Sequence, residues 1–211
     1  MPKIITIAHQ KGGVGKTTLA LFIYHYFASN DVNCVLVDAD PQKSIANLYN
    51  TVGQAEDWGD LKLLDTSDFS LKELNKVDAD FLIVDTPPAY VNILDDVFKY
   101  SDFILIPCKA SPLDILAVDE TITQLKKTQK TNPNLKAAIV MNQIIPRTKF
   151  VETAEAILKE KYDIPVLSTR IHNRADISSY LMSSLSINTE RNKKAEQEIQ
   201  DLVYEIINFL K

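Results

Sequence analysis

KIITIAHQKGGVGKTT, residues 3–18, is the stretch that decides how this sequence folds. Its first six residues, 3–8, are almost wholly apolar and rich in isoleucine, the pattern of a strand buried on both faces. Gly12, Gly13 and Gly15 follow, and Lys16, Thr17 and Thr18 open a run of helical period. A strand, a glycine-rich turn and a helix opening in Lys-Thr is the layout of a phosphate-binding loop. Without Cβ atoms the turn curls tightly and aims its N–H groups inward. The helix start adds unpaired amides and a positive dipole end. Gly12, Gly13, Val14 and Gly15 then form the cradle, and Lys16 reaches the β- and γ-phosphates of a bound nucleotide. The Thr17 hydroxyl ligates Mg²⁺, and Thr18 lies near the α-phosphate.

Outward from this loop, short apolar runs alternate with helical segments. Strands are expected at 3–8, 33–38, 61–65, 80–85, 102–107, 136–142 and 164–168. Helices are expected near 16–29, 43–50, 90–99, 112–131, 148–161 and 193–210, with a loop over 51–60. This alternation predicts an α/β fold of the P-loop NTPase kind, a mostly parallel twisted sheet with helices on both faces. The 211 residues, 45% of them apolar, suit one domain spanning 1–211. Net charge is −5, which argues against a uniformly nucleic-acid-binding surface. The charge is uneven: residues 1–105 hold 8 basic and 15 acidic side chains, and the remainder 15 and 13. A basic patch therefore belongs in the second half. Cys34 and Cys108 lie in apolar runs and read as buried free thiols, and no Cys/His spacing suggests zinc or an iron–sulfur cluster. The N-terminus lacks a signal-peptide layout, and no apolar run approaches a membrane span, so a reducing cytoplasm is expected.

Two further strand ends are acidic. VLVDADPQKS places Asp38 and Asp40 after the second strand, and DFLIVDTPP places Asp85 after the fourth. In parallel sheets the C-terminal strand ends form the ligand crevice. Two carboxylates beside a triphosphate require Mg²⁺ or an ordered water. Asp85 has the Walker B form, a carboxylate that holds Mg²⁺ through water. Thr86, Pro87 and Pro88 make a stiff exit suited to sensing a γ-phosphate.

The common phosphate-loop pattern G-x-x-x-x-G-K-[ST] needs glycine at position 10, which here is Gln10. The chain instead reads KGGVGKT, with an extra lysine, Lys11. This form, together with D-x-D-P-Q, resembles the ParA/MinD family of dimerising ATPases. The resemblance implies that Lys11 reaches across a homodimer to the partner's ATP while Lys16 serves its own. It implies that Asp40 orients or deprotonates the attacking water, that Asp38 supports the Mg²⁺ shell, and that Gln42 braces their loop. The family often has glycine where this chain has Lys43. Asp114 reads either as a dimer-interface residue or as an ordinary first-turn acid of its helix. Asn142 reads either as the adenine contact or as a turn residue.

The segment STRIHNRADISSYLMSSLSINTE, 168–190, resembles the ParA signature in which arginines precede a helix and a turn. Arg170 and Arg174 match its basic positions; a glycine usual in the family is missing from SSLSIN. With Lys126, Lys127, Lys130, Arg147, Lys149, Lys193 and Lys194 they form a candidate patch for non-specific DNA. The terminal helix carries an apolar stripe, but its polar face holds Glu196, Glu198, Asp201 and Glu205, which argues against membrane docking. The resemblance thus implies a short partition ATPase. Its ATP-loaded homodimer would coat nucleoid DNA, and a ParB-like centromere-bound adaptor would stimulate its slow hydrolysis. The same switch positioning another cargo is the alternative, and a dethiobiotin-synthetase-like ligase is one of a different class.

Overall fold

The computed structural model describes residues 1–53, 61–65, 70–88, 91–148, 150–174 and 193–211. Strands β1 (Lys3–Ile7), β2 (Cys34–Asp38), β3 (Leu63–Asp65), β4 (Phe81–Asp85), β5 (Phe103–Cys108), β6 (Lys136–Ile144) and β7 (Val166–His172) form one sheet. All its pairings are parallel, in the order β3-β2-β4-β1-β5-β6-β7. Helices α1 (Lys16–Ser29), α2 (Ser44–Leu48), α3 (Val91–Tyr100), α4 (Pro112–Gln129), α5 (Phe150–Lys161) and α6 (Lys193–Leu210) complete the fold. β1 lies between β4 and β5, so the phosphate loop leaves the middle of the sheet.

Alternation in the strands sets the layers. Ile5, Ile7, Leu36, Ile83, Leu105 and Val140 pack with α1 and α6 in one cluster. Ile4, Val35, Val37, Leu82 and Val84 pack with Val97 of α3, and Ile104, Ile106, Ile139 and Met141 pack with α4 and α5. Successive side chains point to opposite faces, and both faces are buried, so the central strands are apolar throughout. A parallel sheet of this kind puts every strand's C-terminus on one edge, where Asp38, Asp85 and Asn142 gather.

The expected strands and helices are present with shifted ends. β6 continues to Ile144, and β7 lies over Val166–His172 rather than 164–168. β7 is the sheet's outer strand, so only Leu167 and Ile171 are fully buried, and its polar residues carried no strand signal. A 3₁₀ turn over Leu71–Lys76 and a wider π-type turn over Tyr49–Gly53 were not anticipated. Most of the expected 51–60 loop lies outside the described residues.

The acidic face of α6 is used on β7. Glu205 accepts the Ser168 and Thr169 N–H groups at 3.0 and 2.8 Å, and both hydroxyls as well. Two turns earlier Glu198 accepts the His172 N–H at 3.1 Å. The outer strand's amides are thereby answered by side chains, which blunts an edge open to pairing with another chain. Burial alone would raise the Glu205 carboxyl, but hydrogen bonds from Thr169 and Ser168 outweigh it and hold it below the usual range. A carboxylate depressed by folding adds stability at neutral pH that is lost as pH falls through the carboxylate range. Glu205→Ala should therefore cost about 1–3 kcal/mol at pH 7 and much less near pH 3, read by urea unfolding at both values.

Candidate functional site

The phosphate loop closes over the end of β1. Gly13 and Gly15 hold φ of 70° and 93°, in the left-handed region. Gly15 sits just before α1 and accepts the Leu19 N–H at 3.0 Å. Asn142, at the end of β6, donates from Nδ2 to the Val14 carbonyl at 2.7 Å, and Gln143 donates to Gly13 at 3.2 Å. A Cβ on Gly15 would lie 2.5 Å from Asn142 Nδ2, so the position needs glycine for space as well as for φ. The loop encloses a cavity of about 350 Å³ lined by Gly12, Gly13, Gly15, Lys16, Thr17, Thr18, Asp40, Ser44, Thr86, Pro88 and Gln143.

Negative charge converges behind this cavity. The Thr17 hydroxyl donates to Asp85 Oδ2 at 2.6 Å, tying α1 to β4. Asp85 is fully buried, and its Oδ1 has no hydrogen-bond partner among the described residues. Burial, with help from Asp38 and Asp40, pushes its carboxyl up to about 7. Lys16 Nζ donates to the Lys11 carbonyl at 3.2 Å, and burial lowers its pKa against the pull of Asp85 and Asp40. An orphaned carboxylate oxygen beside a threonine hydroxyl fits a hard divalent cation. Mg²⁺ takes one or two protein oxygens and completes its shell with phosphate and water.

Lys11 does not line the phosphate cavity. Its Nζ pairs with Asp114 Oδ1 at 2.8 Å, and its N–H donates to His9 Nδ1 at 2.9 Å. Asp114 is buried in the first turn of α4, whose Ser111 cap bonds both its N–H and its carboxylate. Leu113 and Leu116, beside this pair on α4, are 71% and 59% exposed. Burial foremost, then the charge on Lys16, lowers His9 to about 4, so its imidazole is neutral.

Of the residues singled out in the sequence, Lys16, Thr17, Thr18, Asp40 and the loop glycines line this cavity, and Asp85 lies buried behind Thr17. Three expectations meet a different geometry. Asp38 spends both carboxylate oxygens on backbone N–H groups: Asp40 at 3.1 Å, Ile45 at 3.0 Å and Ala46 at 3.2 Å. It braces the loop and the start of α2 rather than facing a metal shell. Asn142 is buried with its amide nitrogen committed to Val14, which makes it a buttress of the loop rather than an open base contact. Arg170 is held by Glu155 through two bonds at 2.6 and 2.9 Å, and Arg174 by Glu198. Neither guanidinium stands as a free cation, and the signature segment beyond Arg174, with Lys149, lies outside the described residues. Gln143 and Ser44 were missed as cavity residues. Gln143 sits at φ 53° within β6, where the β6–β7 register shifts, an irregularity that leaves no mark in composition.

This geometry agrees with the comparisons. Residues 5–187 match the model of the CobQ/CobB/MinD/ParA nucleotide-binding domain, and the chain belongs to that family. A maintenance of carboxysome distribution protein A from Halothiobacillus neapolitanus is 32% identical over 209 residues, covering 96% of this chain and 95% of that protein. Among solved structures, a plasmid partition protein of Borrelia burgdorferi B31 bound to AMPPNP superposes with a TM-score of 0.72 at 21% identity, covering 97% and 100% of the two chains. An ATP complex of Cyanothece McdA gives 0.76 at 17% identity, covering 94% of each. The two structures establish the shared seven-stranded fold.

Gly15→Ala should strain the loop and collide with Asn142; isothermal titration should show ATP affinity reduced by at least about tenfold, with the protein still folded. The His9 imidazole should stay neutral down to about pH 4, seen in NMR ring-proton titration. Because folding depresses this pKa, native stability should fall as pH drops from 6.5 towards 4, by on the order of 3 kcal/mol at the acid end.

Proposed function

We propose that this protein is an ATP-driven positioning ATPase: it loads ATP and Mg²⁺ as a monomer, closes face to face with a second copy, and hydrolyses ATP slowly. The observation that carries this reading is the placement of Lys11. One lysine, Lys16, lines the phosphate cavity, while Lys11 stands outside it on Asp114. A cation left out of its own site, beside exposed Leu113 and Leu116, is suited to a nucleotide presented by another copy. Two triphosphates facing each other repel, and a lysine delivered by each subunit to the other offsets that charge only when both are loaded. Dimerisation then requires Lys11 to exchange Asp114 for phosphate.

Within each site the loop amides and Lys16 hold the triphosphate. Thr17 and, through water, Asp85 would hold Mg²⁺, which supplies charge neutralisation at the transferred phosphoryl group. Asp40 lines the cavity and receives the Gln42 N–H at 2.9 Å on one carboxylate oxygen, which fixes it to orient or deprotonate the attacking water. Asp38 keeps that loop in place.

The cargo reading follows the near full-length likeness to a protein named for carboxysome distribution, so positioning of a protein body is favoured over DNA partition. An adaptor protein on the cargo would stimulate hydrolysis, and nucleoid DNA in the cytoplasm would be the track. Lys126 on α4 and Lys130 just after it, both exposed, are candidate phosphate contacts, and Arg170 and Arg174 would join them only by exchanging their glutamates for phosphate. Plasmid partition uses the same switch with a DNA-bound adaptor, and the likeness to the Borrelia protein supports it.

Sedimentation velocity tests the switch. Wild type should shift from monomer to dimer with a non-hydrolysable ATP analogue. Lys11→Ala should bind the analogue within about threefold of wild type, yet remain monomeric. Lys16→Ala should lose nucleotide binding. An Asp40→Ala protein should accumulate as a dimer with ATP itself. A dimer of Lys11→Ala at unchanged midpoint would refute delivery in trans.

A further inference from the structure

The loop that carries Asp40 is anchored at a second point, away from the phosphates. Lys43 occupies the left-handed region at φ 52° and ψ 47°, where a residue with a Cβ is disfavoured and glycine is not. Its N–H donates to the Asp40 carbonyl at 2.8 Å, and its carbonyl accepts the Asn47 N–H at 2.8 Å. Its ammonium pairs with Asp65 Oδ2 at 2.7 Å. Asp65 ends β3 in register with Asp38 of β2. The turn between Asp40 and α2 is therefore tied to the outer strand of the sheet.

What lies behind Asp40 makes this tie matter. Asp40 lines the phosphate cavity, and it also lines a second, larger cavity of about 550 Å³. Lys43 and Asp65 line that outer cavity with Pro41, Leu71, Ile93 and Tyr100. Among the described residues, the loop's outer side borders this cavity, where a side chain is held less closely than in a filled core. Asp38 secures the loop from within through the amides of Asp40, Ile45 and Ala46. The Lys43–Asp65 pair secures it from without.

We propose that Lys43 and Asp65 are positioning residues for hydrolysis: their ion pair stops the Asp40 loop from relaxing into the outer cavity and holds Asp40 against the phosphate cavity. The inference rests on the assignment of Asp40 to hydrolysis. It accounts for lysine at a backbone position that favours glycine. Glycine would relieve the conformation but lose the tether. The two side chains are 42% and 21% exposed, so the pair adds little to stability and its loss leaves the fold intact.

The test is steady-state ATPase kinetics on the full chain, with circular dichroism and thermal melting as checks on folding. Lys43→Gly and Asp65→Asn should each lower kcat by roughly tenfold with KM for ATP within about twofold. Because Asp tolerates the left-handed region, the charge-swapped double variant Lys43→Asp/Asp65→Lys should recover to within about threefold of wild type. A merely structural role would not produce that recovery. Asp40→Ala, assayed alongside, should be inactive. If Asp40→Ala is inactive while Lys43→Gly or Asp65→Asn keeps wild-type kcat, the tether is refuted and the assignment of Asp40 stands. Failure of the swap to recover activity, or a change in KM alone, also refutes it. Wild-type turnover by Asp40→Ala would overturn the assignment, and the tether with it.

Discussion

A carboxylate buried at the end of a central strand is the constraint around which this site is arranged. Asp85 has no access to water, lies near Asp38 and Asp40, and is raised to about 7. Water no longer solvates it, so the protein supplies the Thr17 hydroxyl and the distant charge of Lys16. Without nucleotide the arrangement is electrostatically incomplete. Cation and triphosphate complete it together, which couples nucleotide loading to the geometry of β1, β4 and α1 at once.

In the proposed switch, the second lysine would extend the same logic to a second molecule. Lys11 cannot be left unpaired near a partly buried loop without cost, and Asp114 supplies a carboxylate held by Ser111. In the proposed switch this pair would store the lysine until a facing triphosphate, more negative than one aspartate, drew it away, so that assembly would be favoured only with nucleotide present. Ordering of the switch needs no long-range pathway, since Lys11, His9 and the phosphate loop are neighbours in sequence.

The opposite edge of the sheet is stabilised by different means. β7 has polar side chains and few buried ones, and α6 compensates with Glu198 and Glu205 two turns apart. Glu198 also pairs with Arg174 and with the His172 ring. Charges that look like an interaction surface in one dimension are here matched pairwise in three. The basic excess of the second half is therefore less available than its count implies, and in the proposed DNA contact the exposed Lys126 and Lys130 would take its place.

Much of this was legible in the sequence because it is local. KGGVGKT is contiguous, and its glycines, lysines and threonines act through backbone geometry that the adjacent residues themselves create. The strands that end in Asp38 and Asp85 are legible as apolar runs ending in an acid. Other features required distant segments to meet. Asn142 reaches Val14 across 128 positions, Thr17 reaches Asp85 across 68, and Arg170 finds Glu155 on another element. Such pairings depend on which strand ends the crossovers bring together, and a hydrogen-bonding side chain carries no mark of its partner. The sequence by itself determined the phosphate cradle and the layered fold, since periodicity and short-range sterics encode both. Only the tertiary structure decided that Asp38 and Asn142 brace the site, that Lys11 rests on Asp114, and that Lys43 pairs with Asp65.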